Sequence, residues 1–497
     1  MALHSLQFVI SRASTPPIGG WKSLRMDDGW WVHHCSALPV SGTTTADGNT
    51  VLLLGWAFQL SDEGSDPKAQ LSTLRSDNLV KAYHTWTGRW ILILGGRIHG
   101  DATCSIPIFF GNGVVSSSLS IIRGLTGAKW NWNRDHEIRY GLGPDWYPGP
   151  LSPLDGVARL LPSQTLLLAT FKVEHRPILD RFTDPEPLVC FREALLNGMG
   201  QLSAWPGPVY LALTGGIDSR TVLASAFAAG MRPMLYTQEY PGLSPGDREL
   251  PPLLAAELGL SHKFIPRQKN DPDKESRFDE HTMGQGVDAD RSFYSHGQWD
   301  DFQAGSLILR GSCFEIGRAY YHRKIPEGFD PGMPKAAERL HSIHFHPLNH
   351  ISGLLVETAR RRQSFVTDSL RAYLSWANNN SEPSLDFRDR YYLEQRHGCW
   401  LGTAEQGIDV TGMARVSIAN SHYVLSRMNQ ASVGERRTGA YQRATIATLA
   451  PALASFPINP APAWVKLRNN KYARAARQAV RCIRFVAGLP TKKFSLS

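Results

Sequence analysis

The sequence predicts a mixed α/β protein, with a β-rich layered first domain followed by a parallel-sheet α/β domain that has a helical C-terminal part. At 497 residues the chain exceeds what one hydrophobic core usually organises. Residues 1–175 contain short β-branched and aromatic runs between turn residues, which indicate strands. After residue 189 apolar strands alternate with helical patterns, which is typical of a parallel sheet covered by helices.

Three segments of the first domain carry the clearest strand patterns. Residues 50–60, TVLLLGWAFQL, and 89–101, RWILILGGRIHGD, are dense in apolar β-formers and are broken by Gly or Asp. In IPIFFGNGVVSSS the triplet Gly111–Asn112–Gly113 separates two apolar runs and predicts a hairpin. The polar, proline-bearing segment DRFTDPEPL (180–188) is typical of a linker. We therefore expect a first domain at 1–180 and a second at 189–497.

The second domain opens with a regular alternation of strands and helices. A helix at about 189–204 precedes the strand VYLAL, and a helix at 219–230 follows that strand. The strand PMLYTQE, the helix RELPPLLAAELGL and the strand HKFIP come next. This order predicts a parallel sheet, and from about residue 340 the pattern is mainly helical.

Composition excludes several classes of protein. No apolar run approaches the roughly 20 residues of a membrane helix, and the N-terminus lacks the layout of a secretory signal. The six cysteines are scattered without a C-x-x-C pair, which argues against a disulfide framework or a zinc site. We therefore expect a cytoplasmic protein without a membrane span.

The net charge of +9 is concentrated at the C-terminus. Residues 464–497 contain nine Lys or Arg and no Asp or Glu, and they include one predicted basic helix face. Such a face is usually solvated, although it also suits an acidic or peptide partner, a phosphate or a membrane surface. Nucleic acid is not expected to bind, because few aromatic residues accompany the basic ones.

The stretch LTGGIDSR (213–220) joins an apolar strand to a helix. Ligands of parallel sheets bind where strands end and helices begin, and glycines let backbone N–H groups face an anion without a Cβ in the way. The lysine of a Walker loop and the third glycine of a dinucleotide loop are both absent. A strand–helix turn with an ordinary cap is the alternative to a pyrophosphate-binding loop, with Asp218 and Ser219 at the N-cap. The predicted phosphate-binding residues are Leu213, Thr214, Gly215, Gly216, Asp218 and Ser219.

LTGGIDSR resembles the S-G-G-x-D-S pyrophosphate loop of the asparagine synthetase family, whose members cleave ATP to AMP and pyrophosphate. GDRELPPLLAAELGLSHKFIP resembles a further segment of that family, and LILRGSCFEIGRAYYHRK resembles its second glycine loop. HGDATCSIPIFFG and GVARLLPSQTLLL are similar to segments of its glutaminase domain. The resemblance implies an Ntn-hydrolase-like first domain, an ATP-pyrophosphatase-type second domain, and the use of ATP and Mg²⁺.

The resemblance also implies roles for residues outside the loop. Arg310 and Gly311 would contact the nucleotide phosphates. Glu315 would take the acidic position of the second glycine loop and, together with Asp218 and Asp247, would bind Mg²⁺; for Glu315 and Asp247 a surface carboxylate or a helix cap is the alternative.

The family's late catalytic lysine would correspond to Lys466, with Arg468 as the competing candidate. It would stabilise the oxyanion of the amide-forming step. A solvated lysine at the start of a helix is the alternative for Lys466.

Departures from the family pattern shape the expected activity. Ala2 stands where glutamine-hydrolysing members expose a cysteine nucleophile, so we expect that glutaminase activity is lost. In GMARVSIANSHYVLSRM, Arg415 is kept but Met413 and Asn420 replace acidic residues, which counts against recognition of free aspartate of the usual kind.

The resemblance implies an AMP-forming amide ligase that joins a small-molecule carboxylate to an amine or ammonia through an acyl-adenylate. Three alternatives stay open. The first is a lasso-peptide-type cyclase acting on a precursor peptide, and the second is a nucleotide-binding pseudoenzyme scaffold. The third is a sulfur- or nitrogen-transferring modifier of nucleic acid that shares the loop.

Overall fold

A computed structural model describes residues 3–26, 28–61, 65–130, 146–179, 184–283, 285–286, 288–344 and 357–459. The strands are β1 (Phe8–Ser11), β2 (Lys22–Arg25), β3 (Trp31–His34), β4 (Val40–Thr44), β5 (Thr50–Gln59), β6 (Trp86–Leu94), β7 (Arg97–Gly100), β8 (Phe109–Gly111), β9 (Val114–Ser116), β10 (Ala158–Arg159), β11 (Gln164–Leu167), β12 (Lys172–His175), β13 (Val209–Ala212), β14 (Met234–Gln238), β15 (His262–Ile265), β16 (Leu307–Arg310) and β17 (Ala414–Ser417).

The α-helices are α1 (Pro67–Thr73), α2 (Ser76–Ala82), α3 (Leu119–Thr126), α4 (Pro187–Leu202), α5 (Ile217–Ala228), α6 (Pro245–Glu257), α7 (Pro272–Thr282), α8 (Asp288–Ser295), α9 (Ala336–His344), α10 (Glu357–Asn379), α11 (Phe387–Tyr391), α12 (Gly402–Ile408), α13 (His422–Gln430), α14 (Val433–Thr438), α15 (Ala440–Leu449) and α16 (Pro451–Ala454). A π-helix spans Tyr392–Leu401, and short 3-10 helices span Tyr83–Thr85, Phe314–Arg318, Tyr320–Arg323 and Asp409–Thr411. Among the helices described, none combines the length and the apolar character that a bilayer crossing requires.

The first twelve strands form two six-stranded antiparallel sheets, which we call the sandwich. Their orders are β10-β8-β9-β1-β3-β2 and β12-β11-β7-β6-β5-β4. Alternate side chains of both sheets fill the core between them, among them Phe8, Val32, Leu54 and Ile91. Helices α1 and α2 cover the outer face of the second sheet, and α3 covers that of the first. The predicted β-rich layered part of the chain is therefore confirmed.

The predicted hairpin is present between β8 and β9. Gly111 pairs with Val114, so the loop contains only Asn112 and Gly113. Both loop residues have positive φ, at 50° and 77°. Two residues with positive φ form the turn whose twist matches that of antiparallel strands, which is why Asn-Gly is favoured here.

The remaining five strands form the predicted parallel sheet, in the order β15-β14-β13-β16-β17. From β13 the chain adds β14 and β15 on one side and then returns to add β16 and β17 on the other. The crevice between the ends of β13 and β16 is therefore the switch point of the sheet, where open α/β sheets bind their ligands.

Strand β17 lies in the region for which the sequence predicts mainly helices, so that expectation was incomplete. The strand is short, and Arg415 interrupts its apolar pattern. Arg415 is nevertheless buried, because its Nε atom donates to Glu405 Oε2 at 2.6 Å. Because this buried residue is charged, the hydrophobicity pattern of the sequence does not indicate the strand.

Two helices begin two residues earlier than predicted. Helix α4 starts at Pro187, whose fixed φ suits the first helical position. Helix α5 starts at Ile217 with Gly216 as its N-cap, so the expected caps Asp218 and Ser219 lie inside the first turn. Asp218 therefore does not cap the helix, and its side chain contacts Arg318 in the segment that follows β16.

The sandwich and the parallel sheet meet through polar contacts. Asn420 Nδ2 donates to the Gly88 carbonyl at 2.8 Å, and Thr87 Oγ1 donates to the Ile418 carbonyl at 2.9 Å. These contacts bring β6 of the sandwich next to β17. The domain limits at 180 and 189 stay a prediction, and residues 180–183 and the basic tail 464–497 lie outside the described residues.

Candidate active site

A cavity of about 450 Å³ opens at the switch point of the parallel sheet. Three segments contribute most of its wall: the loop after β13, the loop after β16, and the π-helix Tyr392–Leu401. The lining residues are Ala212, Thr214, Gly216, Ile217, Asp218, Ser219, Asp247, Arg310, Gly311, Ser312, Glu315, Arg318, Tyr392, Arg396, His397, Trp400, Leu401 and Asn459.

The loop after β13 is closed on itself by hydroxyl groups. Thr214 Oγ1 and Ser219 Oγ lie 2.9 Å apart, and the Thr214 amide donates to Ser219 Oγ at 3.2 Å. The Gly216 amide donates to Thr214 Oγ1, also at 3.2 Å. The predicted residues Thr214 and Ser219 therefore fix the shape of the loop at the mouth of helix α5.

The two glycine amides are already engaged, which corrects the expectation that they are free for an anion. The Gly216 amide is bound by Thr214, and the Gly215 amide donates to Asp247 Oδ1 at 2.8 Å. A Cβ on Gly215 would stand 2.9 Å from the Gly246 carbonyl oxygen. The glycines serve here to let the loop approach helix α6 closely.

Donors for an anion come instead from the first turn of helix α5. The amides of Ile217, Asp218 and Ser219 have no acceptor within the described part of the chain. The first turn of a helix leaves such N–H groups unpaired and carries partial positive charge. Together with its opening into the cavity, this makes the turn suitable for a phosphate.

Asp247, a predicted metal ligand, lines the cavity, and both of its carboxylate oxygens accept hydrogen bonds. Its Oδ1 accepts the Gly215 amide, and its Oδ2 accepts the Ser244 hydroxyl at 2.8 Å. Ser244 in turn caps helix α6 by accepting the Asp247 amide. With both oxygens engaged, Asp247 holds the loop after β13 against α6 rather than offering a free carboxylate.

The loop after β16 packs directly on helix α5. A Cβ on Gly311 would lie 2.8 Å from the Ser219 backbone nitrogen and 3.1 Å from the Asp218 carbonyl carbon, so only glycine fits. The 3-10 turn that follows is flanked by Cys313 and Ala319, whose φ values of 73° and 47° are unusual for residues with a Cβ. Local strain of this kind collects at functional sites.

This turn brings Glu315 close to Asp218, and we call these two carboxylates the acid pair. Arg318 Nη2 lies 2.9 Å from Asp218 Oδ2, and His397 Nε2 lies 3.6 Å from Glu315 Oε2. Asp218 Oδ1 and Glu315 Oε2 are buried and lack a hydrogen-bond partner among the residues described. The structure thus brings two of the three predicted metal ligands together.

The pKa values of the two carboxyl groups in the acid pair are shifted in opposite directions. Burial and the nearby charge of Glu315 raise the pKa of Asp218 to about 7. Burial acts to raise the pKa of Glu315 too, but the contact with His397 outweighs it and the pKa is lowered. One carboxylate therefore stays ionised at neutral pH, while its neighbour changes charge near pH 7.

Arg310, a predicted phosphate-binding residue, lies at the end of β16 and lines the cavity. Its Nη2 is 3.9 Å from Glu405 Oε1, and its side chain keeps 23% of its surface exposed. Glu405 also binds Arg415, so it anchors both arginines from below the cavity. Arg310 therefore lines the cavity within ion-pair distance of Glu405.

The π-helix supplies residues that the sequence analysis did not predict as functional. Its hydrogen bonds run from i to i+5, so Tyr392 and His397 lie on one face, with ring centroids 4.9 Å apart. The Arg396 guanidinium stacks 3.5 Å from the centroid of the Trp400 ring and makes no ion pair with any residue of the described ranges. The linear pattern of YYLEQRHGCW indicates only a packed helix, because nothing in it signals the π register.

Lys466 and its competitor Arg468 lie outside the described residues. The last described residue, Asn459, donates its amide to the Gly215 carbonyl at 2.9 Å and lines the cavity. The chain therefore passes the loop after β13 shortly before the predicted lysine.

Comparisons with known proteins give little further guidance. No family model matches the chain, and no curated protein matches it. Several solved structures match the chain. One of them is a glutamine-dependent NAD+ synthetase from Acinetobacter baumannii in complex with adenosine diphosphate, with 12% sequence identity and a TM-score of 0.19. The match covers 55% of this chain and 59% of that enzyme.

Proposed function

We propose that the protein is an ATP-dependent amide-bond-forming ligase. It would activate a carboxylate as an acyl-adenylate, release pyrophosphate, and pass the acyl group to an amine or ammonia without hydrolysing glutamine. The observation that carries the proposal is the convergence, at the switch point, of the first turn of helix α5, which carries Asp218, and the loop after β16, which carries Glu315. The three residues of that turn whose amides lack an acceptor among the described residues line the same cavity as the two partly buried carboxylates.

The diphosphate part of ATP would bind at the first turn of α5. The amides of Ile217, Asp218 and Ser219 would donate to its oxygens, and the closed hydroxyl ring of the loop keeps these donors in place. Arg310 adds a guanidinium that lies 3.9 Å from Glu405. Preorganised donors of this kind stabilise charge that develops on a leaving group.

Asp218 and Glu315 would hold Mg²⁺. Asp218 Oδ1 has no hydrogen-bond partner among the described residues, and Glu315 Oε2 lies 3.6 Å from His397 Nε2. Carboxylate oxygens are the hard donors that Mg²⁺ prefers. When bound, the ion supplies positive charge that neutralises the diphosphate. Asp247 is not included, because its oxygens are already bound to Gly215 and Ser244.

Activation would begin when a carboxylate oxygen of the substrate attacks the α-phosphorus of ATP. An O–P bond forms, the bridging P–O bond between the α- and β-phosphates breaks, and pyrophosphate leaves with the bonding electron pair. The amine then attacks the acyl carbon, AMP departs, and the amine loses a proton. Lys466 is our candidate for the cation that stabilises the tetrahedral oxyanion.

The acyl substrate would lie toward the π-helix. Arg396, stacked on Trp400, is the cavity cation without a carboxylate partner among the described residues, so it is available to an anionic group of the substrate. Tyr392 and His397 form the adjoining wall. Both a small acid and a side-chain carboxylate of a precursor peptide fit this proposal, and the basic tail would suit the peptide.

Exchange of labelled pyrophosphate into ATP tests the proposal. We expect exchange that depends on Mg²⁺ and on an added carboxylate, drawn from a panel of amino acids, dicarboxylic acids and peptides with acidic side chains. ATP binding without exchange for any carboxylate would contradict the ligase and favour a nucleotide-binding scaffold. Exchange that depends on RNA would indicate a nucleic-acid modifier.

A further inference from the structure

We propose that Arg318 is an exchangeable cation. It occupies the acid pair in the resting protein and moves to the diphosphate when a metal–diphosphate complex binds. This inference rests on the proposed function and adds a positioning and phosphate-binding residue to it. It starts from the 2.9 Å contact between Arg318 Nη2 and Asp218 Oδ2, two residues that line the cavity.

The local fold explains why Arg318 and Glu315 face the same cavity. Both belong to the 3-10 turn Phe314–Arg318, in which residues three apart are eclipsed. Left-handed residues at Cys313 and Ala319 bracket the turn, so it cannot continue as a regular helix in either direction. The turn therefore places the Arg318 guanidinium on the same side as the Glu315 carboxylate.

Arg318 is only partly satisfied where it stands. Its Nε atom is buried without a hydrogen-bond partner among the residues described, and the side chain is 31% exposed. Asp218, its partner, is 15% exposed and keeps Oδ1 unpaired. The ion pair therefore leaves one N–H group of Arg318 and one oxygen of Asp218 without a hydrogen bond. We expect each group to take a better partner when one binds.

The carboxylate of Asp218 cannot serve two cations equally well. A divalent ion at the acid pair would repel the guanidinium 2.9 Å from Asp218 Oδ2, so binding of the ion weakens the ion pair. A diphosphate at the first turn of α5 would bring acceptor oxygens beside Asp218 and Ser219. Because a guanidinium binds phosphate oxygens through two parallel hydrogen bonds, Arg318 gains a better partner than the one it leaves.

Binding measurements on the full-length protein test the exchange without requiring the acyl substrate. Mn²⁺ titrations followed by electron paramagnetic resonance report the acid pair, and calorimetry of pyrophosphate with saturating Mg²⁺ reports the phosphate contact. The variants are Arg318→Ala and Arg318→Lys. Arg323→Ala is the matched control, because Arg323 is an exposed arginine of the next 3-10 turn and does not line the cavity.

If Arg318 exchanges partners in this way, removing it should change the affinities for Mn²⁺ and for pyrophosphate in opposite directions. In Arg318→Ala, Mn²⁺ binds severalfold more tightly because its competitor is gone, while pyrophosphate binds about tenfold or more weakly because a charge-assisted contact is lost. Arg318→Lys recovers part of the pyrophosphate affinity, and Arg323→Ala changes neither affinity.

Two results overturn the inference alone: Arg318→Ala weakens both affinities together, as a structural role would, or it leaves both unchanged. If the wild-type protein binds neither Mn²⁺ nor pyrophosphate, the proposed function fails as well. The wild-type titrations therefore distinguish the two failures.

Discussion

The Arg89 guanidinium, on β6 of the sandwich, forms a two-pronged pair with Asp409, with 2.8 Å between Nη2 and Oδ2. Both side chains are almost completely buried, at 3% and 2% exposure. Asp409 also accepts a hydrogen bond from Arg415 of β17 at 3.1 Å. One carboxylate therefore ties the sandwich to the parallel sheet.

Replacing this carboxylate should destabilise the fold. Asp409→Asn removes the carboxylate that is hydrogen-bonded to the buried Arg89 guanidinium, which costs about 3–5 kcal/mol in the free energy of unfolding. Glu338→Gln is the control, because Glu338 pairs with Arg371 on the surface and should lose less than about 1 kcal/mol. Urea unfolding measures both, and equal losses in the two variants would contradict this role for the buried pair.

Adding a methyl group at Gly311 should separate the two loops of the cavity. In Gly311→Ala the new Cβ meets the Ser219 amide at 2.8 Å, so the backbone of the first turn of α5 has to move. We expect ATP affinity to fall about tenfold or more, together with about 1–3 kcal/mol of stability. Gly200→Ala, on helix α4 with no atom within 4 Å of the new Cβ, should keep full ATP affinity in calorimetry. Undiminished binding in Gly311→Ala would argue against this loop as the nucleotide site.

Arg396→Gln should affect the acyl substrate and not the nucleotide. Loss of a charge-assisted contact predicts an increase of about tenfold or more in the KM of the carboxylate, with the KM of ATP unchanged. Steady-state exchange kinetics measure the two constants separately. Arg371→Gln, which removes an exposed arginine, is the control and should change neither. An effect of Arg396→Gln on ATP alone would assign this cation to the nucleotide instead.

Acid should destabilise the protein partly through His281. Burial lowers the pKa of His281 to about 3, while its ring Nε2 lies 2.9 Å from the Gln406 carbonyl oxygen. Because the unfolded chain takes up a proton near pH 6.5 and the folded one does not, stability is complete above that pH and is lost as the pH falls toward 3. The loss is about 1.4 kcal/mol per pH unit in that window.

His281→Gln removes this titration, so the variant should lose stability less steeply than the wild type between pH 6 and pH 4. Urea midpoints measured across this range give the slope directly. Parallel profiles for the two proteins would mean that His281 does not contribute, whatever the variant's stability at pH 7.

Much of the fold follows from local patterns. The strands β13, β14 and β16 are buried on both sides of the sheet, so each appears as an apolar run between helices or turns. The β8–β9 hairpin is predicted because Asn112 and Gly113 accept positive φ. The loop at 213–219 is predicted because its glycines, its hydroxyl residues and the start of the helix follow one another in the sequence.

The rest of the cavity depends on contacts between distant segments. Arg318 and Asp218 are 100 positions apart in the sequence, and their approach requires the close packing of Gly311 on helix α5. His397 and Arg396 reach the cavity through a π register that no composition or spacing signals. The hydrogen bonds of Asp247 to Gly215 and Ser244 likewise depend on tertiary packing that the sequence pattern does not indicate.

The most direct test of the account is a crystal structure of the protein with Mg²⁺ and an ATP analogue whose α–β bridging oxygen is replaced by methylene. We predict diphosphate oxygens within hydrogen-bond distance of the Ile217, Asp218 and Ser219 amides, with the metal between Asp218 and Glu315. A nucleotide bound with its phosphates away from this turn, or in another cavity, would contradict the central claim.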